Sequence, residues 1–516
     1  MRKYLYVLNG FRLKLAVLFA MMAMTALGTL LTVYYNGVII NRFFYFENLM
    51  HLVIPVVVLT IMGIGLNTVA YFQSLFSVTL RQKLTFKFKI HLLQHLQKID
   101  FIDFKKMEAT YLSKRIDDDT QQVVDFFINN FAKFPITLVD ITAIIWLLFR
   151  TNIYIGVLLI IAIPFHFWAN HYFSKPVFKY NAEYREETAQ LFKDYTHQLV
   201  HMEEILIEAR FDVEEKELKF GFQRFLKMLK KDLFARLNMN AFQQISMDIL
   251  QGAVFFVGAM AVINGTTSPG MVLMAMHYFG RNLGNIGYFL GLSQELEVTK
   301  SAVSRIDELK EIRTVEEGQK LLNEVSSIQA QVSYAIEGSK ILNDVRVEAQ
   351  KGDIVLLTGR NGTGKSTLTK LLVGVIKPLN KSRIMINGSR DLTQLDAQHL
   401  RSRTISYVPQ NLSFKDITVA KYFEGVDVSR YKELLKEFWN EEINRLSGGQ
   451  KQLCAIVRAI SQKKDILIMD EPTSALDQDK IEWFTNEIEK VGADKITFII
   501  THEKALKEKF DKVVNL

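Results

Sequence analysis

Gly359-Arg360-Asn361-Gly362-Thr363-Gly364-Lys365-Ser366-Thr367 follows the apolar run Ile354–Leu357 and opens a helical pattern. A strand, a glycine-rich turn, Lys-Ser and a helix together make a phosphate cradle. The glycines let backbone N–H groups turn inward, and the helix adds its positive N-terminal end. In that cradle Lys365 brings a point charge to the β- and γ-phosphates, and the Ser366 hydroxyl reaches Mg²⁺. This part of the chain reads as an α/β nucleotide-binding domain.

Asp470 comes 105 residues after Lys365 (470 − 365), in Ile466-Leu467-Ile468-Met469-Asp470-Glu471. Four apolar residues make a buried strand whose end carries two carboxylates. Asp470 is placed to hold Mg²⁺ through water, and Glu471 to polarise an attacking water, since phosphoryl transfer asks the protein mainly for positioning and charge. Alone, such a pair is an ordinary solvated strand end. Downstream of a phosphate loop it is a hydrolysis site.

Between the two stands Leu446-Ser447-Gly448-Gly449-Gln450. With this pentapeptide the chain resembles the ATP-binding cassette (ABC) family, whose signature it is. The resemblance implies ATP and Mg²⁺ as cofactors and assigns further positions. Tyr334, 31 residues before Lys365 (365 − 334), matches the aromatic that stacks on adenine. Gln410, in Tyr407-Val408-Pro409-Gln410, matches the glutamine that senses the γ-phosphate and Mg²⁺. Asp477 closes the Ser474-Ala475-Leu476-Asp477 loop, and His502 follows Ile500-Thr501 as the switch histidine. In the family, nucleotide lies between the phosphate loop of one cassette and the signature of another. Ser447, Gly448 and Gly449 form a second donor-rich helix start suited to the far side of the γ-phosphate. One loop and one signature per chain imply a second copy as partner, with a sister chain as the alternative.

The 516 residues carry a net charge of +8. Up to about residue 300 the chain is built of long apolar runs, and basic residues flank them. That pattern points to a lipid bilayer rather than nucleic acid as the partner of the positive charge. Six stretches are long enough to span: Leu15–Tyr35, Leu52–Phe72, Phe134–Phe149, Ile153–Tyr172, Ile245–Ile263 and Met271–Leu292. Arg2, Lys3, Arg12 and Lys14 before the first run also suit a signal peptide, but its length favours a retained helix. Only Arg150-Thr151-Asn152 joins the third and fourth spans, whereas residues 73–133 and 173–244 are long, charged and helix-prone. Lys and Arg concentrate in those long segments, which places them, the N-terminus and the nucleotide domain in the cytoplasm of a cell with an inner or plasma membrane. Each long segment is expected to fold as a helical hairpin.

The expected architecture is thus a polytopic α-helical membrane domain (1–308), a linker (309–326) and an α/β cassette (327–516). Phe101-Ile102-Asp103-Phe104, Tyr111–Asp119, Met202–Arg210 and Ala302–Ile306 resemble the intracellular loops and last-span flank of ABC exporters, which extends the resemblance over nearly the whole chain. It implies coupling helices near Arg115–Gln121 and Phe211–Glu215. Gln410 to Leu446 spans 36 residues (446 − 410), short for an exporter, so the helical subdomain is expected to be reduced.

His277, Arg281 and Asn285 lie four apart, hence on one face of the sixth span; Asp140 and Asp248 sit inside other spans. Ionisable groups in hydrocarbon are costly and face a bundle interior or a wet cavity. They read either as a polar patch on the cargo path or as a buried ion pair between Arg281 and one aspartate. Phe43-Phe44-Tyr45-Phe46 reads as an interfacial anchor. No leader-cleaving domain is expected before the first span. The function implied is ATP-driven export of an amphipathic cargo, a small peptide such as a bacteriocin being the leading expectation. Lipid or multidrug export is the alternative, and an ATP-gated regulator without transport a further one.

Overall fold

The computed structural model describes residues 10–44, 50–107, 109–312, 314, 318–336, 339–360, 362–378 and 382–516; Arg2, Lys3, Tyr45, Phe46 and Asn361 lie outside them. It forms two compact units. The first is Met1–Leu92 with Leu112–Leu309, and the second is Leu93–Tyr111 with Lys310–Leu516.

Helices dominate the first unit and its extensions: α1 Arg12–Phe44, α2 Met50–Leu96, α3 Phe101–Lys105, α4 Ala109–Thr151, α5 Ile153–Val200, α6 Met202–Glu208, α7 Phe211–Ile263 and α8 Pro269–Glu311. Among the described residues α1, α2, α4, α5 and α7 are long and apolar enough to cross a membrane. The expected sixth span lies within α8, where His277, Arg281, Asn282 and Asn285 dilute the apolar character. The spans continue past hydrocarbon length as the charged segments predict. Beyond Phe72, α2 runs on for 24 residues (96 − 72), roughly 36 Å at about 1.5 Å per residue. Asn152 ends the short third connection by capping α5, its side chain accepting from the Tyr154 N–H at 2.9 Å. Gly37 and Gly270 let α1 and α8 touch, since a Cβ on Gly270 would lie 2.0 Å from the Gly37 carbonyl oxygen. Ile144, Leu148, Ile155, Leu159, Val254 and Phe279 form the buried centre of the bundle.

The expected coupling helices are displaced. Arg115–Gln121 lies inside α4 and Phe211–Glu215 is the first turn of α7. The short helices at the arm turns are instead α3 and α6. Asp100 starts α3 by accepting from the Ile102 N–H at 2.8 Å, and Ala209, left-handed at φ 50°, ends α6.

In the second unit, β1 Ser327–Ile336, β2 Ser339–Gln350, β4 Arg383–Ile386 and β5 Arg390–Asp391 form an antiparallel sheet in the order β2-β1-β4-β5. A parallel sheet contains β3 Ile354–Thr358, β6 Ile405–Val408, β7 Ile466–Asp470, β8 Ile496–Ile500 and β9 Val513–Asn515, ordered β6-β7-β8-β3-β9. Every residue of β7 and β8 is buried, as expected where helices cover both faces of a parallel sheet. Around it lie α9 Lys365–Leu372, α10 Ala397–Thr404, α11 Val419–Tyr422, α12 Lys432–Leu435, α13 Gly448–Ser461 and α14 Gln478–Gly492. Leu322 and Val325, read from sequence as linker, are buried in the cassette core, and Phe101 and Ile102 of α3 pack against it.

The segment between Gln410 and Leu446 is reduced as its length implies. Its described α-helices, α11 and α12, have four residues each, supplemented by 3₁₀ turns. Stacking of Phe423 on Trp439 at 5.8 Å and a 2.7 Å bond from Tyr431 Oη to Glu487 hold it together.

Candidate functional site

In open α/β sheets ligands bind beyond the carboxyl ends of the parallel strands. Four adjacent strands, β6, β7, β8 and β3, deliver candidate nucleotide-site residues there. After β3 the chain turns through Gly359, Gly362 and Gly364, all at positive φ (146°, 85° and 94°), and enters α9. A Cβ at Gly359 would lie 2.4 Å from the Leu516 carbonyl oxygen, so both conformation and space demand glycine. Arg360 and Thr363 sit in the turn, the Thr363 hydroxyl donating to the Arg360 carbonyl at 3.0 Å. Lys365 is 7% exposed and its ammonium donates to the Gly359 and Arg360 carbonyls at 2.9 Å each. The ammonium is thus already at the mouth of the cradle. Thr367 is half-buried in the first turn of α9.

The Ser366 hydroxyl donates to Asp470 Oδ2 at 2.9 Å. Asp470, at the end of β7, is 5% exposed. Burial raises its pKa above the usual carboxylate value, with the neighbouring Glu471 charge adding and the Ser366 hydrogen bond opposing. Glu471 follows at φ 50°, a left-handed conformation a glutamate adopts only when its surroundings enforce it. Its N–H bonds to the Ile500 carbonyl at 2.9 Å, and Gln410 Nε2 donates to Glu471 Oε2 at 3.0 Å. His502 is exposed, two residues beyond Ile500 on the loop leaving β8. Gln410, Ser366, Asp470 and Glu471 are therefore brought together by direct contacts, and His502 by its strand.

Ser447 caps α13, accepting from the Gln450 N–H at 3.3 Å while its own N–H donates to Gln450 Oε1 at 2.9 Å. Ser447 and Gly448 are exposed, and a Cβ on Gly449 would press to 2.6 Å from the Ala475 carbonyl oxygen. Asp477 caps α14, accepting from the Lys480 N–H at 3.0 Å. Tyr334 departs from expectation. Its ring is 6% exposed within the cassette core, its hydroxyl lies near the Asp100 and Asp103 charges, and burial raises its pKa. A covered ring does not offer a face to adenine.

Two residues near the site escape sequence reasoning. Gln452 Nε2 reaches the Glu471 carbonyl at 3.4 Å. Lys370 of α9 lies 4.8 Å over the Phe101 ring, and its charge acts on Asp470. Burial, with help from Lys105, lowers its pKa. A lysine one turn into a helix reads from sequence as a solvated charge; only the fold puts an aromatic ring under it.

In the first unit Asp140 is 6% exposed and accepts from Arg281 Nε at 2.8 Å, Arg281 Nη2 at 3.0 Å and Asn285 Nδ2 at 2.7 Å. Arg281 also donates to the Ala26 carbonyl at 3.2 Å and to the Thr29 hydroxyl. His277 and Asp248 stand apart: both are exposed, and Asp248 accepts from Gln244 on its own helix at 3.0 Å. The five residues do not form one polar path. Three make a buried ion pair with an amide partner.

Models of two ABC transporter domains match. The transmembrane region matches over residues 15–284 and the ATP-binding domain over 342–474. The first covers 270 of the 516 residues (284 − 15 + 1). The chain belongs to the ABC transporter family. This ABC transporter is 23% identical to the putative multidrug export ATP-binding/permease protein YgaD of Bacillus subtilis, over 86% of this chain and 81% of that one. It is 24% identical to the transport/processing ATP-binding protein ComA of Streptococcus pneumoniae, over 89% and 67%. It is 27% identical to the alpha-hemolysin translocation ATP-binding protein HlyB of Escherichia coli, over 50% and 40%. Its fold matches a bacterial Atm1-family ABC exporter solved with ATP bound, with a TM-score of 0.80 at 16% identity, over 98% of this chain and 94% of the other. The transporter therefore joins an exporter-type helical membrane domain to a cassette that binds and hydrolyses ATP.

Proposed function

We propose that two copies of this ABC transporter assemble, that each ATP is held between Lys365 of one and Ser447 of the other, and that hydrolysis drives export of a small amphipathic peptide. The bond between Ser366 and Asp470 beside the Gln410–Glu471 contact carries the ATPase part of this reading. It pairs a hydroxyl with a buried carboxylate, hard oxygen donors of the kind Mg²⁺ prefers, and the Gln410 side chain bonds the adjoining Glu471. Ser366, Asp470 and Gln410 would hold the ion, whose charge would offset the burial cost of Asp470 and neutralise phosphate oxygens. Glu471 then orients and polarises water, Lys365 and the loop N–H groups hold phosphates, and His502 borders the same strand ends. The exposed Ser447-Gly448 turn is free to meet a second copy.

The likeness to ComA, named for transport and processing, and to HlyB, named for alpha-hemolysin translocation, supports the peptide reading, while the likeness to YgaD, named for multidrug export, supports the alternative. The density of Lys and Arg in the arms supports a cytoplasmic cassette in the inner or plasma membrane. The test is ATP-driven uptake into inside-out vesicles, comparing an apolar peptide, a lipid probe and a lipophilic drug. Uptake of peptide alone supports the reading; uptake of drug or lipid alone, or ATP turnover without any uptake, refutes it.

A further inference from the structure

A cavity of about 700 Å³ opens between α1, α2, α4 and α8, and neither Asp140 nor Arg281 lines it. Its volume lies within the roughly 300–1,000 Å³ of ordinary ligand sites. Its lining straddles the ends of the predicted spans, with Leu18 and Met22 inside the first and Gly284 inside the sixth. Gln73 to Arg81 follow the second, Asn129 to Lys133 precede the third, and Tyr288 to Glu295 end the sixth. With the arms in the cytoplasm, this is the cytoplasmic boundary of the membrane, where a cargo would enter.

The lining charges are not equally engaged. Arg81 is committed to its neighbours: Nη2 donates to Asn129 at 2.8 Å and Nε lies 3.2 Å from Asp125. Glu295 accepts from Asn130 at 3.0 Å through one oxygen. Asn130 is itself saturated, accepting from the Tyr288 hydroxyl at 2.8 Å and donating to the Phe126 carbonyl at 2.9 Å. Lys133 differs. Its ammonium sits 4.6 Å over the Tyr288 ring, and among the described residues no carboxylate lies within ion-pair distance of it. Leu18, Met22, Val78 and Ile128 supply an apolar wall. The cavity thus offers one uncompensated cation, one half-used carboxylate, amides and an apolar surface.

We propose that this cavity admits the C-terminal end of an apolar peptide, the terminal carboxylate on Lys133 and peptide N–H groups on Glu295. A single lysine with a carboxylate nearby suits a monoanion and disfavours a phosphate dianion. This rests on the peptide reading of the cargo above.

The experiment uses the full chain in phosphatidylcholine nanodiscs and a fluorescent short apolar peptide, as the free acid and as the C-terminal amide. Wild type is expected to bind the acid about tenfold more tightly, the scale of one charge-assisted hydrogen bond. Lys133→Gln should abolish that preference, and Lys133→Arg should keep it. Equal binding of the two forms by wild type, or an undiminished preference in Lys133→Gln, overturns the proposal. A Lys133-dependent preference for short-chain phosphatidylglycerol over phosphatidylcholine, without acid–amide discrimination, also overturns it and marks a lipid site. Vesicle uptake of the same peptides separates the two readings. Uptake without discrimination sinks the cavity alone, and discrimination in binding without uptake sinks peptide export alone.

Discussion

Removing the Arg281 side chain should destabilise the membrane unit more than it alters the pump cycle. Asp140 is 6% exposed and takes two of its three hydrogen bonds from Arg281, so Arg281→Ala leaves it with Asn285 as its remaining partner. Breaking a buried ion pair from one side costs about 3–5 kcal/mol. The Arg281 side chain keeps 24% of its exposure, which points to the lower end, about 3 kcal/mol, since water relieves part of the penalty. Hydrogen bonds between membrane helices average only about 0.6 kcal/mol, so a loss of that size would mean the pair behaves as ordinary polar contacts. The assay is a double-mutant cycle of Arg281→Ala and Asp140→Ala, read by denaturant unfolding of the detergent-solubilised chain. The double variant should be less damaged than the sum of the singles, with a coupling of roughly 2 kcal/mol. Single variants within about 0.5 kcal/mol of wild type, with cargo-stimulated ATPase changed, would refute the ion-pair account and restore a cargo-contact role.

In the cassette, Glu471→Gln should bind ATP yet turn it over about 10²–10⁴-fold more slowly, the usual contribution of a positioned base; hydrolysis at the wild-type rate excludes Glu471 from that role. Asp470→Asn should abolish turnover but raise the nucleotide-free unfolding temperature at pH 7. Burial raises the folded pKa of Asp470, so its ionised form is disfavoured in the folded cassette and the amide removes that penalty. The gain should shrink as pH falls through that raised pKa, where the wild-type group takes up a proton; a gain independent of pH contradicts the cause given. Cys454 is buried, with its pKa pushed up to about 12 by burial, so a thiol reagent at pH 8 should modify it only on unfolding. Fast labelling of the native chain would show that the core around α13 opens.

The candidate site is legible in its backbone because its parts are local. Gly359–Ser366 and Asp470-Glu471 each declare a strand and a turn within a few residues, and Asn152 announces a helix start in the same way. Pairing over long distances is not. The spacing of Arg281 and Asn285 picks a face of α8, but nothing in one sequence chooses Asp140, 141 positions away, over Asp248. Sequence alone misplaces the short helix of the first arm because Arg115–Gln121 shares the helical period of the arm it belongs to. The true break at α3 rests on one capping aspartate, Asp100, a signal too short to stand out. The spacing of Tyr334 from Lys365 points to adenine, whereas its burial depends on the core cluster it joins, against which Phe101 and Ile102 of α3 also pack.

If each ATP is held between two copies, as proposed, then variants that damage opposite halves of the site should complement one another. Lys365→Ala disables the phosphate loop and leaves the signature; Ser447→Arg does the reverse. Each variant alone should be inactive, while co-expressed chains form mixed dimers in which one site has both halves intact. ATP turnover should recover to about a quarter of wild type, from half the dimers being mixed with one good site in each. Substantial activity in Ser447→Arg alone, or no recovery in isolated mixed dimers, would contradict it.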